Sequence, residues 1–317
     1  MKRFLIFLSI IILVLVIVLP FDTQKPIRYI DRKNGIKKTE KVMGEYALRW
    51  LYNNPLGLVS LHSLAKRKFF SDWYGKRMDN SASIQKIKPF IQDFNIDMRF
   101  VEKDSFASFN DFFTRRLKPS ALQFCKDSFC LASPSDGKIL AYKNISNSNF
   151  IIKGNRFNIN SFLRDTFLSQ HYQDASLIII RLAPSDYHRF YFPLKGTVTK
   201  EKQIDGFLYS VSPIALRQRI QLFCENKRSY TIIRNTIIGD FIMVEVGATM
   251  VGSIVQTYNQ TKVQKGTEKG YFKFGGSTIV LIFKKNQIKI DDDLLQNTRL
   301  NLETSVNVGE RIAYLLH

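Results

Sequence analysis

From about Ser133 onward the chain is a succession of short runs suited to strands. Ser176–Leu182, Arg189–Phe192, Phe241–Val246, Gly252–Thr257 and Ser277–Phe283 are β-branched or aromatic, and Gly, Pro, Asn and Asp bound them. Runs this short, closed off by turn residues, suit strands of a buried sheet better than helices. Asn158–Arg164 predicts a helical turn or two. Asp291–Leu300 predicts a short helix with an acidic N-terminus. Residues 40–117 follow a different pattern. Tyr46–Leu51 and Leu56–Phe70 carry apolar residues at helical spacing across an Asn53-Asn54-Pro55 break, and Ser83–Phe94 and Phe106–Arg116 read as further helices. The expected fold class is therefore α+β, with helices first and a mostly antiparallel β domain after them.

The N-terminus adds a third region. Met1-Lys2-Arg3 precedes an apolar run from Phe4 to Leu19, broken only by Ser9. As a helix it would span roughly 24–27 Å, slightly short of a bilayer core of about 30 Å. A signal peptide is the rival reading, but Pro20-Phe21-Asp22-Thr23-Gln24 offers no small-residue cleavage site. An uncleaved anchor over 1–21 is expected, then a helical membrane-associating region over 22–118 and a β-rich domain over 119–317. Lys25, Arg28, Arg32, Lys33, Lys37 and Lys38 outnumber the cations before the run. That bias predicts that the bulk of the protein, including the β-rich domain, faces the cytoplasm.

Composition narrows the partners. There are 47 Lys+Arg against 27 Asp+Glu, a formal net charge of +20, which calls for an anionic partner. The cations are scattered and no nucleic-acid motif appears, so nucleic acid is not expected. Lys66, Arg67 and Lys68 adjoin Phe69, Phe70, Trp73 and Tyr74. That pairing suits a helix lying on anionic lipid, and equally a helical core with a solvated basic end. Cys125, Cys130 and Cys224 sit at no ligand spacing and are expected as reduced, mostly buried thiols.

Candidates for chemistry are few. The sequence has no Walker loop, no dinucleotide fingerprint and no metal-spaced His/Cys/Asp/Glu cluster. Of four histidines, His317 is terminal, His62 lies in an apolar helical segment and His171 in a polar stretch. His188 lies in Pro184-Ser185-Asp186-Tyr187-His188-Arg189, a turn entering a strand. Such a turn is a common place for function, although a lone His is more often structural. Gly275-Gly276-Ser277-Thr278 precedes the apolar strand Ile279–Phe283. It can be a tight turn before a buried strand. Alternatively, it can place the Ser277 hydroxyl against the Gly276 carbonyl, because glycine permits the bend.

Here the residues match a family. The chain resembles phosphatidylserine decarboxylase, a pyruvoyl-dependent, self-cleaving enzyme of phospholipid synthesis. The resemblance runs through Tyr29-Ile30-Asp31-Arg32, Asn54-Pro55-Leu56-Gly57, Lys88-Pro89-Phe90 and Phe109-Asn110-Asp111-Phe112-Phe113-Thr114-Arg115. It continues in Ser133-Pro134-Ser135-Asp136-Gly137, Asp186-Tyr187-His188-Arg189-Phe190 and Leu208-Tyr209-Ser210-Val211. Asn226-Lys227-Arg228, Val244-Glu245-Val246-Gly247-Ala248-Thr249 and Lys273-Phe274-Gly275-Gly276-Ser277-Thr278 complete it.

The resemblance implies cleavage between Gly276 and Ser277, with Asp136 orienting His188 as the base in a triad-like arrangement. Ser277 would become a covalent pyruvoyl group, with no metal. Its ketone would form a Schiff base with phosphatidylserine and act as an electron sink while CO2 leaves, giving phosphatidylethanolamine. Chains 1–276 and 277–317 would stay together as a heterodimer at an anionic bacterial cell membrane. The resemblance also implies a closed barrel or sandwich for the β domain. One position departs from the family pattern of H-R-x-H: Tyr191 stands where a second His is usual. A phenol with a reference pKa of about 10 is no general base near neutral pH. The alternative is thus a non-catalytic, lipid-binding relative with impaired processing.

Overall fold

The computed structural model describes residues 3, 4, 6, 7, 19, 26–145, 150–152, 155–218, 222–249 and 253–316. The expected anchor falls almost wholly outside these residues. Among the described residues no helix is long and apolar enough to cross a membrane.

Ten strands make the main sheet, in the order Lys262–Val263, Gly196–Ile204, Arg228–Asn235, Gly239–Val246, Ser277–Phe283, Ser176–Leu182, Gly137–Tyr142, Glu303–Val306, Arg28–Asp31 and Ile36–Thr39. Every pair is antiparallel except Arg28–Asp31 against Glu303–Val306. The strands Ser176–Leu182 and Ser277–Phe283 are where the sequence places them. Gly196–Ile204, Arg228–Asn235 and Gly137–Tyr142 are additional. The first of these alternates Lys, Glu and Thr on an exposed face, so its apolar pattern is weak.

Both faces of the sheet are covered, which explains its unbroken apolar runs. Leu177 and Ile179 join one core with Phe162, Leu163 and Leu216 from short helices and Tyr172 from a turn. Ile178, Ile180 and Leu182 face the other core, with Phe190, Phe272, Ile290 and Ile312 from two three-stranded sheets. This is the α+β, mostly antiparallel and sandwich-like arrangement. The expected barrel is not formed, because the sheet keeps two ends. One end is Ile36–Thr39, exposed throughout and carrying Lys37 and Lys38. The other is two residues long. A lysine-bearing edge and a very short edge both resist further pairing.

The segment expected to be helical therefore contributes strands too, since the hairpin Arg28–Asp31/Ile36–Thr39 belongs to the sheet. Helices follow at Glu45–Asn53, Pro55–Ser60, Lys68–Asp79, Ile87–Phe94 and Phe109–Phe113. The Asn54 side chain accepts from the amides of Leu56 and Gly57 and so starts the second helix, with Pro55 at its first position. Phe90, Phe109, Phe112 and Phe113 close around Phe274, just before the Gly275-Gly276 pair. The cysteine expectation needs correction. Cys125 and Cys130 form a disulfide, their Cα atoms 6.3 Å apart across the intervening turn. Cys224 is free, and burial pushes its thiol up to about 11.

Candidate active site

Ser277 opens a strand whose seven residues are all buried. It pairs with Leu182 on one side, and Thr278 pairs with both Arg181 and Val246. The Ser277 hydroxyl is fully buried and has no hydrogen-bond partner. An unpaired buried hydroxyl costs about 1–3 kcal/mol and calls for an explanation. Gly275 has φ 137°, a region that favours glycine. A Cβ on Gly276 would come 3.2 Å from Val211 Cγ2, so the second glycine also spares a close contact.

The segment before the glycines is held from the helical side. Asn110 Oδ1 accepts from the Phe274 amide at 2.9 Å, and its Nδ2 donates to Asp79 Oδ1 at 2.9 Å. The Phe274 ring meets Phe109 and Phe113 edge-on, each with centroids 5.0 Å apart.

His188 is fully buried, with its ring 4.2 Å from that of Phe113, centroid to centroid. Its Nδ1 lies 2.8 Å from the Asp186 carbonyl. A carbonyl only accepts, so Nδ1 must carry the proton and the neutral ring keeps its lone pair on Nε2. That Nε2 is buried and unpartnered. Burial pushes the imidazole down to about 4; the Asp186 carbonyl and, less strongly, that of Gly275 act in the opposite direction. The ring is thus neutral at physiological pH, beside the Gly275 carbonyl, with a free lone pair.

Asp136 does not orient His188 as expected. Its Oδ1 accepts from the Val308 amide at 2.8 Å, and the hydrogen bond that fixes the imidazole comes from the Asp186 backbone instead. Burial pushes the Asp136 carboxyl up to about 6, partly offset by that amide, and Asp186 adds to the rise. Tyr191 faces away from this chemistry. Its hydroxyl is 3.0 Å from that of Tyr187, its ring packs on Phe124, and it shares a small core with Val308. Burial raises its phenol, so it is still less a base than a free tyrosine.

A cleft of about 870 Å³ opens beside these residues, lined by Arg115, Asp136, Lys138, Asp186, Tyr187 and Val308 among others. Lys138 Nζ lies 2.8 Å from Asp186. Farther along the sheet, Arg181 Nη2 lies 2.5 Å from Glu40 and 2.6 Å from Glu303, all buried. Sequence reasoning missed Asn110, Arg115, Asp186 and Arg181 as working residues. The first three stand inside quoted motifs, but nothing in the sequence separates a packing position from a functional one. Among the described residues no cluster of metal-ligating side chains occurs.

A serine hydroxyl and an imidazole nitrogen, both buried without hydrogen-bond partners, flank a glycine pair near a polar cleft, an arrangement suited to an enzyme. Comparison with known proteins identifies the kind. The family model for phosphatidylserine decarboxylase matches residues 109–314. A phosphatidylserine decarboxylase proenzyme of Fusobacterium nucleatum is 49% identical over 289 residues, covering 90% of this chain and 96% of the relative. One from Clostridium botulinum (strain Kyoto / Type A2) is 49% identical over 290 residues, covering 90% and 98%. One from Clostridium tetani is 46% identical over 290 residues, covering 90% and 97%. The chain belongs to the phosphatidylserine decarboxylase family.

Proposed function

We propose that this chain is a self-processing carboxy-lyase that converts phosphatidylserine to phosphatidylethanolamine and CO2. The observation that carries the reading is the pair of buried, unpartnered atoms, Ser277 Oγ and His188 Nε2, at the Gly275-Gly276 bend. His188 Nε2 takes the hydroxyl proton as Oγ attacks the Gly276 carbonyl carbon. The C–N bond breaks, the Ser277 nitrogen gains a proton, and an ester joins Gly276 to the Ser277 side chain. Loss of the α-proton expels the Gly276 carboxylate and leaves dehydroalanine at 277. Water then replaces its nitrogen, which leaves as ammonia, and the new N-terminus is a pyruvoyl group. That group supplies an electron sink for the pair of electrons left when CO2 departs.

The position suits such a group. Both neighbouring strands hold 277–283 along its length, so chains 1–276 and 277–317 remain one sheet after cleavage. Phe113 and the neutral imidazole keep water away from it. Asp136 contributes negative charge at the cleft, which Arg115 also lines without pairing with it. We further propose that the enzyme works on an anionic bacterial cell membrane, its catalytic part toward the cytoplasm. Support comes from the exposed side chains of Leu56, Val59, Leu64, Phe69 and Trp73 in the helices at 55–79, interleaved with Arg67, Lys68 and Arg77.

The test is direct. The expressed chain should give fragments 1–276 and 277–317, with a pyruvoyl mass at 277, and release CO2 from phosphatidylserine vesicles. Ser277→Ala should stay full length and inactive. A native chain that stays uncleaved would favour the non-catalytic lipid-binding reading, which the Tyr191 position prompts.

A further inference from the structure

We infer that Arg115 binds the phosphodiester of the substrate headgroup and so selects a phospholipid over a simple serine ester. The inference rests on the decarboxylase reading above. Arg115 follows the helix Phe109–Phe113 and is 6% exposed, yet its Nε has no hydrogen-bond partner. Among the described residues no carboxylate comes within ion-pair distance of it. The Phe112 ring lies 5.1 Å from its guanidinium carbon. Leaving a buried cation unpaired costs several kcal/mol, so such a group is normally matched by an anion.

The acids lining the same cleft are already engaged. Asp186 is paired with Lys138, Asp97 with Arg99 and Glu310 with Arg32, while Asp136 accepts from the Val308 amide. Arg115 is therefore the buried cation of the cleft that lacks an acid. Burial correspondingly lowers its affinity for a proton, and the attraction of Asp136 and Asp186, neither of which is ion-paired with it, offsets this only in part. Arg115 lines the cleft, and two residues earlier Phe113 lies against His188.

Chemistry decides which anion it takes. Phosphatidylserine offers a carboxylate and a phosphodiester. A guanidinium on the carboxylate would stabilise the charge that must leave it, favouring the ground state over the transition state. On the phosphodiester it stabilises both equally and supplies binding and register, and the guanidinium fork matches phosphate oxygens. The carboxylate is then left to the apolar surroundings of Phe113 and Phe274.

The experiment compares native enzyme with Arg115→Gln and Arg115→Lys. The wild-type arm is read first: no CO2 from phosphatidylserine would refute the decarboxylase reading itself, and with it this assignment. Each variant is checked for cleavage, then assayed with dihexanoyl phosphatidylserine and with O-hexanoylserine, an ester of the serine hydroxyl that keeps the free amine and carboxylate and lacks phosphate. Arg115→Gln should lower kcat/KM for the phospholipid by about 10- to 100-fold, chiefly through KM, and leave the serine ester within about threefold. Arg115→Lys should recover part of the loss. Calorimetric binding of dihexanoyl phosphatidylglycerol, which keeps the phosphodiester and lacks the amine, should weaken in parallel. Equal losses on both substrates, or unchanged binding of that lipid, would overturn the assignment. Failure of both variants to cleave would place Arg115 in processing instead and overturn it too.

Discussion

His188 and Asp136 should give this protein opposing pH dependences that cancel in part. His188 falls from its ordinary 6.5 to about 4 through burial. Between those values the unfolded chain binds a proton that the folded chain refuses. Stability from this group is fully present above pH 6.5 and is lost as pH falls toward 4, by about 3 kcal/mol in all. Asp136 rises from 3.8 to about 6, again through burial. Here the folded chain holds the extra proton, so stability is lost as pH rises from 3.8 to 6. Asp136 is half-buried at the cleft, which reduces its share to about 2 kcal/mol. The perturbations are Asp136→Asn and His188→Gln, each made in the uncleavable Ser277→Ala chain. Stability is read by urea unfolding at intervals from pH 4 to 7. Relative to the parent, Asp136→Asn should lose about 2 kcal/mol on going from pH 6 to 4, and His188→Gln should gain about 3 kcal/mol from pH 6.5 to 4. Difference curves that are flat, or that slope the same way, would refute the burial argument for the pair.

Other outcomes can be checked singly. Glu303→Ala leaves Arg181 buried with Glu40 as its remaining acid, and should cost about 3–5 kcal/mol, seen as a lowered unfolding midpoint. Asn110→Ala strips the Phe274 amide of its acceptor and should cost about 2–3 kcal/mol. It should also slow the appearance of the 277–317 fragment on a denaturing gel, because the segment before Gly275 loses its tether. Tyr191→Phe should leave self-cleavage within about threefold and cost about 1 kcal/mol, the worth of the Tyr187 hydroxyl contact. A large loss of cleavage in Tyr191→Phe would show that the phenol takes part after all.

Much of this protein is readable from order and pattern alone. The β-branched run at 277–283 and the one at 176–182 determine their own strands, because a segment apolar on both sides must lie inside a covered sheet. Gly275-Gly276-Ser277 marks, through glycine's conformational freedom, the bend proposed to react, and His188 stands out because so few imidazoles compete with it. The partners of these residues are another matter. His188 takes its tautomer from the Asp186 backbone, and a carbonyl is the same in every residue, so no side-chain pattern announces it. Asp136 sits in the expected motif yet turns to the Val308 amide, which lies 172 residues away along the chain. The disulfide at Cys125 depended on a turn geometry that spacing does not reveal. Whether the sheet closed was decided by its end strands, one solvated by lysines and the other too short to pair. Arg115 carries the same lesson in its sharpest form. In the sequence it is one cation among 47 Lys+Arg, and only burial without a counter-charge, a property of the packed chain, sets it apart.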